Sequence, residues 1–262
     1  MSGTGPVSRG AVARRAAGGL ALALVPLAGA CQATPVTGRT SFNVFTPADD
    51  VQLGAEAYGE ILAGARIVPA GAEKEMVERV MGRLVAVADD PGYAWEVRLI
   101  DDGATANAFA LPGGKMAVYS GILPICGGEE GLAVVMGHEI GHVVAQHGTE
   151  RMTRELGVEL ALGLLEVGDY AELARVGMEY FVTRPFSRAN EAEADHIGLI
   201  YMARAGYDPR AAPSFWERMV AAGGAEPPEF LSTHPSHETR IQNLQDLLPE
   251  AIAEYEGRGG PR

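Results

Sequence analysis

Two cysteines in 262 residues, Cys31 and Cys126, are too few for a disulfide framework, so a packed core must hold the fold. Long uninterrupted apolar runs are missing too. Residues 16–30 are broken by Gly18, Gly19 and Pro26, and the run Leu160 to Leu165 is short and bracketed by Glu159 and Glu166. Neither reads as a transmembrane helix, and the second is predicted to be a core or lid helix. Basic residues are scarce, with 21 Lys and Arg against 34 Asp and Glu, a net charge of −13. Without residues 1–30, which hold Arg9, Arg14 and Arg15 but no acid, the balance is 18 against 34, or −16. Such a surface repels phosphate backbones and anionic headgroups, which excludes nucleic acid as a partner. The acidity itself reads as a solubility feature. With 47% hydrophobic residues the chain can bury one good core, and one main domain is the simplest count.

The first thirty residues read as a signal peptide, a basic stretch ending in Arg14-Arg15 followed by an apolar run. The paired arginines are compatible with twin-arginine export. Leu27-Ala28-Gly29-Ala30-Cys31 resembles a bacterial lipoprotein processing site, with Ala28 where a larger aliphatic is usual. That resemblance implies lipidation of Cys31, and Gln32 lacks the aspartate associated with inner-membrane retention. The competing expectation is a Cys31–Cys126 bridge. Residues 31–48, rich in Thr, Pro and small polar residues, are predicted to be a tether without a core. Residues 49–250 are assigned to the main domain and residues 251–262 to a C-terminal tail.

What is present is chemically specific. The stretch Gly128 to Gly148 predicts one amphipathic helix, with Glu129 and Glu130 at its positive end and Gly148 as a left-handed cap. It contains His138-Glu139-Ile140-Gly141-His142. Histidines four apart share a helix face and can converge on one cation, and Glu139 is placed to take a proton from a water bound there. This is the HExxH signature of zinc metallopeptidases. The motif lies among apolar residues, where unpaired imidazoles would be costly.

Along the chain, Asp49 to Ala65 and Ala72 to Asp90 show helical periodicity on either side of Pro69, with Asp49-Asp50 as candidate caps of the first. From Trp95 the period changes to strands, including a hairpin around Pro112-Gly113-Gly114. Asn107 to Ala110 is the candidate edge for gripping an extended peptide. Glu150 to Thr183 reads as helical up to Pro185. A helix from Arg188 to Gly206, another from Arg210 to Ala222 around Trp216, a loop from Gly223 to Pro228, and a C-terminal helix packing through Ile241, Leu244 and Leu248 complete the chain.

A catalytic zinc needs three protein ligands and an open position. Gly148 stands where the third histidine of a metzincin would fall, which excludes that pattern. Glu191, Glu193 and Asp195 are the candidates, and Glu191 and Asp195 share a helix face. HExxH followed by NEAEAD, with NAFALPGGKMAVYSGIL upstream and GYDP and THPSHETR downstream, resembles the CAAX prenyl protease, HtpX and BepA-like family of zinc metallopeptidases (family 48) over about residues 50–245.

The resemblance implies an α+β, mostly helical zincin of the gluzincin type, with a small sheet beside the active-site helix. It implies one zinc per chain held by His138, His142 and Glu191, with Asp195 supporting a histidine ligand, His138 being the natural beneficiary. Glu139 is the expected general base. His234 matches a histidine that lies close to zinc in exported relatives. It is expected either to steady the oxyanion or to occupy the open metal position and hold the enzyme latent, against a plain surface role. Arg240 is a further candidate for charge stabilisation, while His196, Glu193, His147 and His237 are assigned to structure or solvent. The expected function is endoproteolysis of unfolded or misassembled envelope proteins by an exported enzyme on the periplasmic side of a membrane, the outer one, to which a lipid holds it. The alternatives are a chaperone-like assembly factor on the same fold and, with less support, a non-proteolytic metal hydrolase.

Overall fold

The computed structural model describes residues 31–89, 91–157, 170–223, 227–235 and 239–257. The signal segment, the apolar run 160–165 and His237 lie outside the described residues. The chain begins with a hairpin of β1 (Cys31–Ala33) and β2 (Thr40–Phe42), paired antiparallel with Cys31 opposite Phe42. This corrects the expectation of a tether. Phe45 is 1% exposed and belongs to the core. Asn43, buried, donates through Nδ2 to Thr149 Oγ1 (2.9 Å) and accepts from Thr153 Oγ1 (2.9 Å). The polar composition that imitates a linker is used instead to bind the segment to a helix.

Helix α1 (Pro47–Ala63) is capped by Thr46 rather than by Asp49 or Asp50. Thr46 Oγ1 accepts from the Asp49 N–H, and Asp49 Oδ2 accepts from the Thr46 N–H at 2.8 Å, a reciprocal capping box. Helix α2 (Ala72–Val85) buries Val77, Val80, Met81 and Leu84. A three-stranded sheet follows, β3 (Glu96–Ile100), β4 (Ala108–Leu111) and β5 (Lys115–Tyr119), in the order β3-β5-β4. β4 pairs antiparallel with β5 through the Pro112–Gly114 turn, and β3 lies parallel to β5. The predicted edge is therefore an edge. At the turn Gly113 (φ +71°) packs so closely on α1 that a Cβ would lie 2.5 Å from Val51 Cα.

After a short turn of helix, α3 (Leu123–Cys126), comes α4 (Glu129–Val144), in which every residue from Gly131 to Val144 is buried. It is buried on every side rather than amphipathic, as befits a central helix. It also stops earlier than predicted. Gln146 adopts φ +53°, and its Nε2 donates to the buried Asp50 Oδ2 at 2.6 Å, so a tertiary bond holds the break. Gly148, the predicted cap, lies inside α5 (His147–Glu155). Then come α6 (Tyr170–Met178), a π-helical turn (Glu179–Thr183), α7 (Arg188–Arg204) and α8 (Ala211–Ala222). Next are α9 (Glu229–Thr233), a short helix missed in the sequence, and α10 (Arg240–Gly257). The last carries on into the predicted tail as far as Gly257, with Ala251 buried and Tyr255 packed on the core.

One core cluster surrounds α4, with Trp216, Tyr201 and Phe215 among its largest members. A second joins α1, the sheet and α6 through Leu53, Tyr58, Phe109 and Leu173. No helix among the described residues is long and apolar enough to cross a membrane. Helices α4 and α7 cross almost backbone to backbone. A Cβ on Gly198 would lie 2.7 Å from His138 N, and one on Gly141 2.7 Å from Ala194 O. Gly198→Ala is therefore expected to destabilise the fold by about 1–3 kcal/mol in urea titration, since neither backbone can yield without moving the other.

Candidate metal centre

The crossing of α4 and α7 brings two pairs of side chains, each four residues apart, to one point. His138 and His142 come from α4, and Glu191 and Asp195 from α7. His138 Nε2 lies 3.1 Å from His142 Nε2 and 3.4 Å from Glu191 Oε2, and His142 Nε2 lies 3.4 Å from Glu191 Oε1. His234, set by the end of α9, adds Nδ1 at 3.1 Å from both His138 Nε2 and Glu191 Oε1. One donor atom from each of the four lies within 4.8 Å of the others, and all four residues are buried. The loop reaches this position because Phe230, fully buried, donates its N–H to Ala106 O beside the sheet.

The outer faces of the imidazoles are occupied. His138 Nδ1 is 2.9 Å from Asp195 Oδ1, as the resemblance implied. Arg240, buried and stacked 3.4 Å over Trp216, donates Nε and Nη2 to Asp195 (2.8 and 2.7 Å) and Nη1 to Glu191 (3.1 Å). It neutralises and aims the two carboxylates. On the other histidine, Nδ1 lies 2.9 Å from His147 Nδ1, and Phe186 stacks on the ring at 4.1 Å. His147 and Glu193 are thus buried neighbours of the centre, which their assignment to structure or solvent did not anticipate. Only the helix break at Gln146 brings His147 round, and nothing in the local sequence announces that break. His196 pairs with Glu250 at 3.0 Å, away from the centre.

The electrostatics call for a cation. Burial disfavours a proton on His138, yet Glu191 and Asp195 outweigh it and push the ring up to about 9. Burial holds His142 well below its ordinary value. Glu191 resists its own burial, and His234 and His138 hold it well below the usual carboxylate range. Two Nε2 atoms facing each other at 3.1 Å beside an ionised carboxylate fit a metal ion: an N/O donor set with its outer hydrogen bonds made.

Glu139 is 2% exposed. Its Oε2 accepts from the Ala110 N–H on edge strand β4 at 3.0 Å. Its Oε1 makes no hydrogen bond and lies 3.3 Å from His234 Nε2. Burial pushes this carboxyl up, the direction that suits a group exchanging a proton near neutral pH.

Beside His142, burial pushes Asp50 up to about 6, although Gln146 and Tyr93 both donate to its Oδ2. The folded state then holds this proton more tightly than the unfolded chain. Asp50's contribution is complete below its ordinary value of 3.8 and is lost as pH rises through about 6. Asp50→Asn, which keeps an acceptor for both donors, should gain about 2 kcal/mol on the parent between pH 4.5 and pH 7.5 in urea unfolding. A pH-independent difference would contradict this.

A profile of Peptidase family M48 matches residues 71–248. The chain is 39% identical over 229 residues to the mitochondrial metalloendopeptidase OMA1 of Schizosaccharomyces pombe, covering 85% of this chain and 68% of the relative. The Saccharomyces cerevisiae protein of that name is 34% identical over 242 residues, with 85% and 70% covered. The β-barrel assembly-enhancing protease of Escherichia coli is 27% identical over 226 residues, with 81% and 46% covered. A family match over most of the chain, spanning a helix crossing that gathers His138, His142 and Glu191 at one point, places this metalloendopeptidase in Peptidase family M48.

Proposed function

We propose that the chain is a zinc endopeptidase that cleaves unfolded or misassembled proteins at a bacterial envelope membrane. The observation that carries this reading is the buried set His138, His142, Glu191 and His234 with a free Glu139 oxygen beside it. His138, His142 and Glu191 would hold the zinc, which when bound supplies a Lewis acid for a water and the scissile carbonyl. Glu139 takes the water's proton on Oε1 and delivers it to the leaving amine. The β4 edge offers main-chain groups that grip any extended peptide, which suits clients selected for being unfolded rather than for their sequence.

The membrane assignment is supported by the lipoprotein-like sequence up to Cys31 and by the E. coli relative, whose name ties it to β-barrel assembly; the fungal relatives are mitochondrial by name. We place the protein on the periplasmic side of the outer membrane. Because Cys31 opens β1 and pairs with Phe42, a lipid there would hold the domain close to the bilayer. Digestion of unfolded casein, stopped by ortho-phenanthroline and restored by zinc, tests the enzymatic reading. Binding without products would support a chaperone-like factor instead.

His234 fills the position a substrate needs, with Nδ1 among the ligand atoms and Nε2 against Glu139. In our reading it keeps the enzyme latent. His234→Ala is expected to raise basal casein cleavage several-fold at unchanged zinc content, and a fall would assign His234 to stabilising the oxyanion.

A further inference from the structure

Three alternate residues of α7, Glu191, Glu193 and Asp195, serve the two α4 histidines by different routes. Asp195 reaches His138 directly. Glu193 reaches His142 only through a second imidazole, with its Oε2 3.0 Å from His147 Nε2 and His147 Nδ1 2.9 Å from His142 Nδ1. The other end of the relay lies on the N-terminal hairpin, outside the family match. Thr37 Oγ1 donates to Glu193 Oε1, and Arg39 Nε donates to Glu193 Oε2. The remaining Arg39 nitrogens form a two-point bond with Glu150 of α5, at 3.1 and 2.9 Å.

We propose that His147, Glu193, Thr37 and Arg39 are positioning residues for His142, and that the hairpin of residues 31–42 braces the metal centre. The hydrogen-bond logic is directional. A carboxylate accepts from Thr37 and Arg39 and can only accept from His147, so His147 carries its proton on Nε2. A neutral His147 then offers a lone pair at Nδ1, and His142 must donate to it from its own Nδ1. That leaves His142 Nε2 without a proton, pointing at His138 and Glu191, in the one tautomer able to bind a metal there. Without the relay, both tautomers and a swung ring compete, and the affinity falls.

The inference rests on the metal reading of His138, His142 and Glu191, and the test keeps the two apart. Zinc affinity is measured on the full chain by chelator competition, with the visible band of the cobalt(II) form as a second readout. His147→Leu and Glu193→Ala should lower zinc affinity about 10- to 100-fold. Arg39→Ala, at the half-exposed end of the relay, should lower it less. His147→Gln, whose amide can accept from His142 and donate to Glu193, should keep most of the affinity and the parent's cobalt band. Arg66→Ala, which removes the exposed pair with Asp101, should change nothing. Unchanged affinity in Glu193→Ala and Arg39→Ala, or equal losses in His147→Gln and His147→Leu, would overturn the proposal. Glu193→Ala and Arg39→Ala decide the matter if His147→Leu does not fold. Failure of the metal reading looks different: the parent itself would bind no zinc.

Discussion

Glu139→Gln is expected to lower casein turnover about 10²- to 10⁴-fold while zinc content stays at the parent's level. The substitution is nearly isosteric in a buried pocket. The amide oxygen can still accept from the Ala110 N–H, as Oε2 does at 3.0 Å, and the new NH2 replaces an oxygen that makes no hydrogen bond. None of the four converging donor atoms belongs to Glu139, so the metal set is untouched. Proton transfer is what disappears, since a neutral amide cannot take a proton from water. Equal kcat in parent and variant, with zinc bound in both, would remove Glu139 from the chemistry.

The second large effect is expected at Glu191. Glu191→Gln should weaken zinc binding by more than the roughly 10- to 100-fold that outer partners such as Asp195 contribute, and activity should vanish with the metal. Glu191 contacts His138, His142, His234 and Arg240. Its negative charge is the centre's main counterweight to a dication. Removing it also leaves the buried Arg240 guanidinium with Asp195 as its remaining carboxylate. Isothermal titration with zinc, read beside thermal unfolding of the metal-free protein, separates lost ligation from lost folding. Asp195→Asn should be the milder variant, since Asp195 meets the outer nitrogen of His138 and the Arg240 guanidinium but supplies none of the converging donor atoms.

Much of this centre was legible in the residues because its information is local. His138/His142 and Glu191/Asp195 are each four apart, and a helix turns that spacing into a shared face wherever the helix lies. That the two faces meet followed from the family resemblance, not from spacing, and the crossing glycines Gly141 and Gly198 carried no readable sign of it. What the sequence concealed depends on distant partners. Gln146 takes a left-handed turn with its amide bound to Asp50, almost a hundred positions earlier, and that turn is what carries His147 to His142. Residues 31–48 have the composition of a linker, and distant partners, Thr149, Thr153, Glu150 and Glu193 with the core around Phe45, make them structure. Arg240 reads in the sequence as a candidate for charge stabilisation, but its burial against Trp216 and its bonds to both α7 carboxylates depend on distant partners.

X-ray absorption at the zinc edge of the purified chain reaches the central claim most directly. One zinc per chain is predicted, with nitrogen and oxygen donors alone at roughly 2.0–2.2 Å and a multiple-scattering signal from imidazoles that shrinks in His142→Ala. A sulfur shell from Cys126 or Cys31, or a spectrum identical in the parent and in His142→Ala, would contradict it.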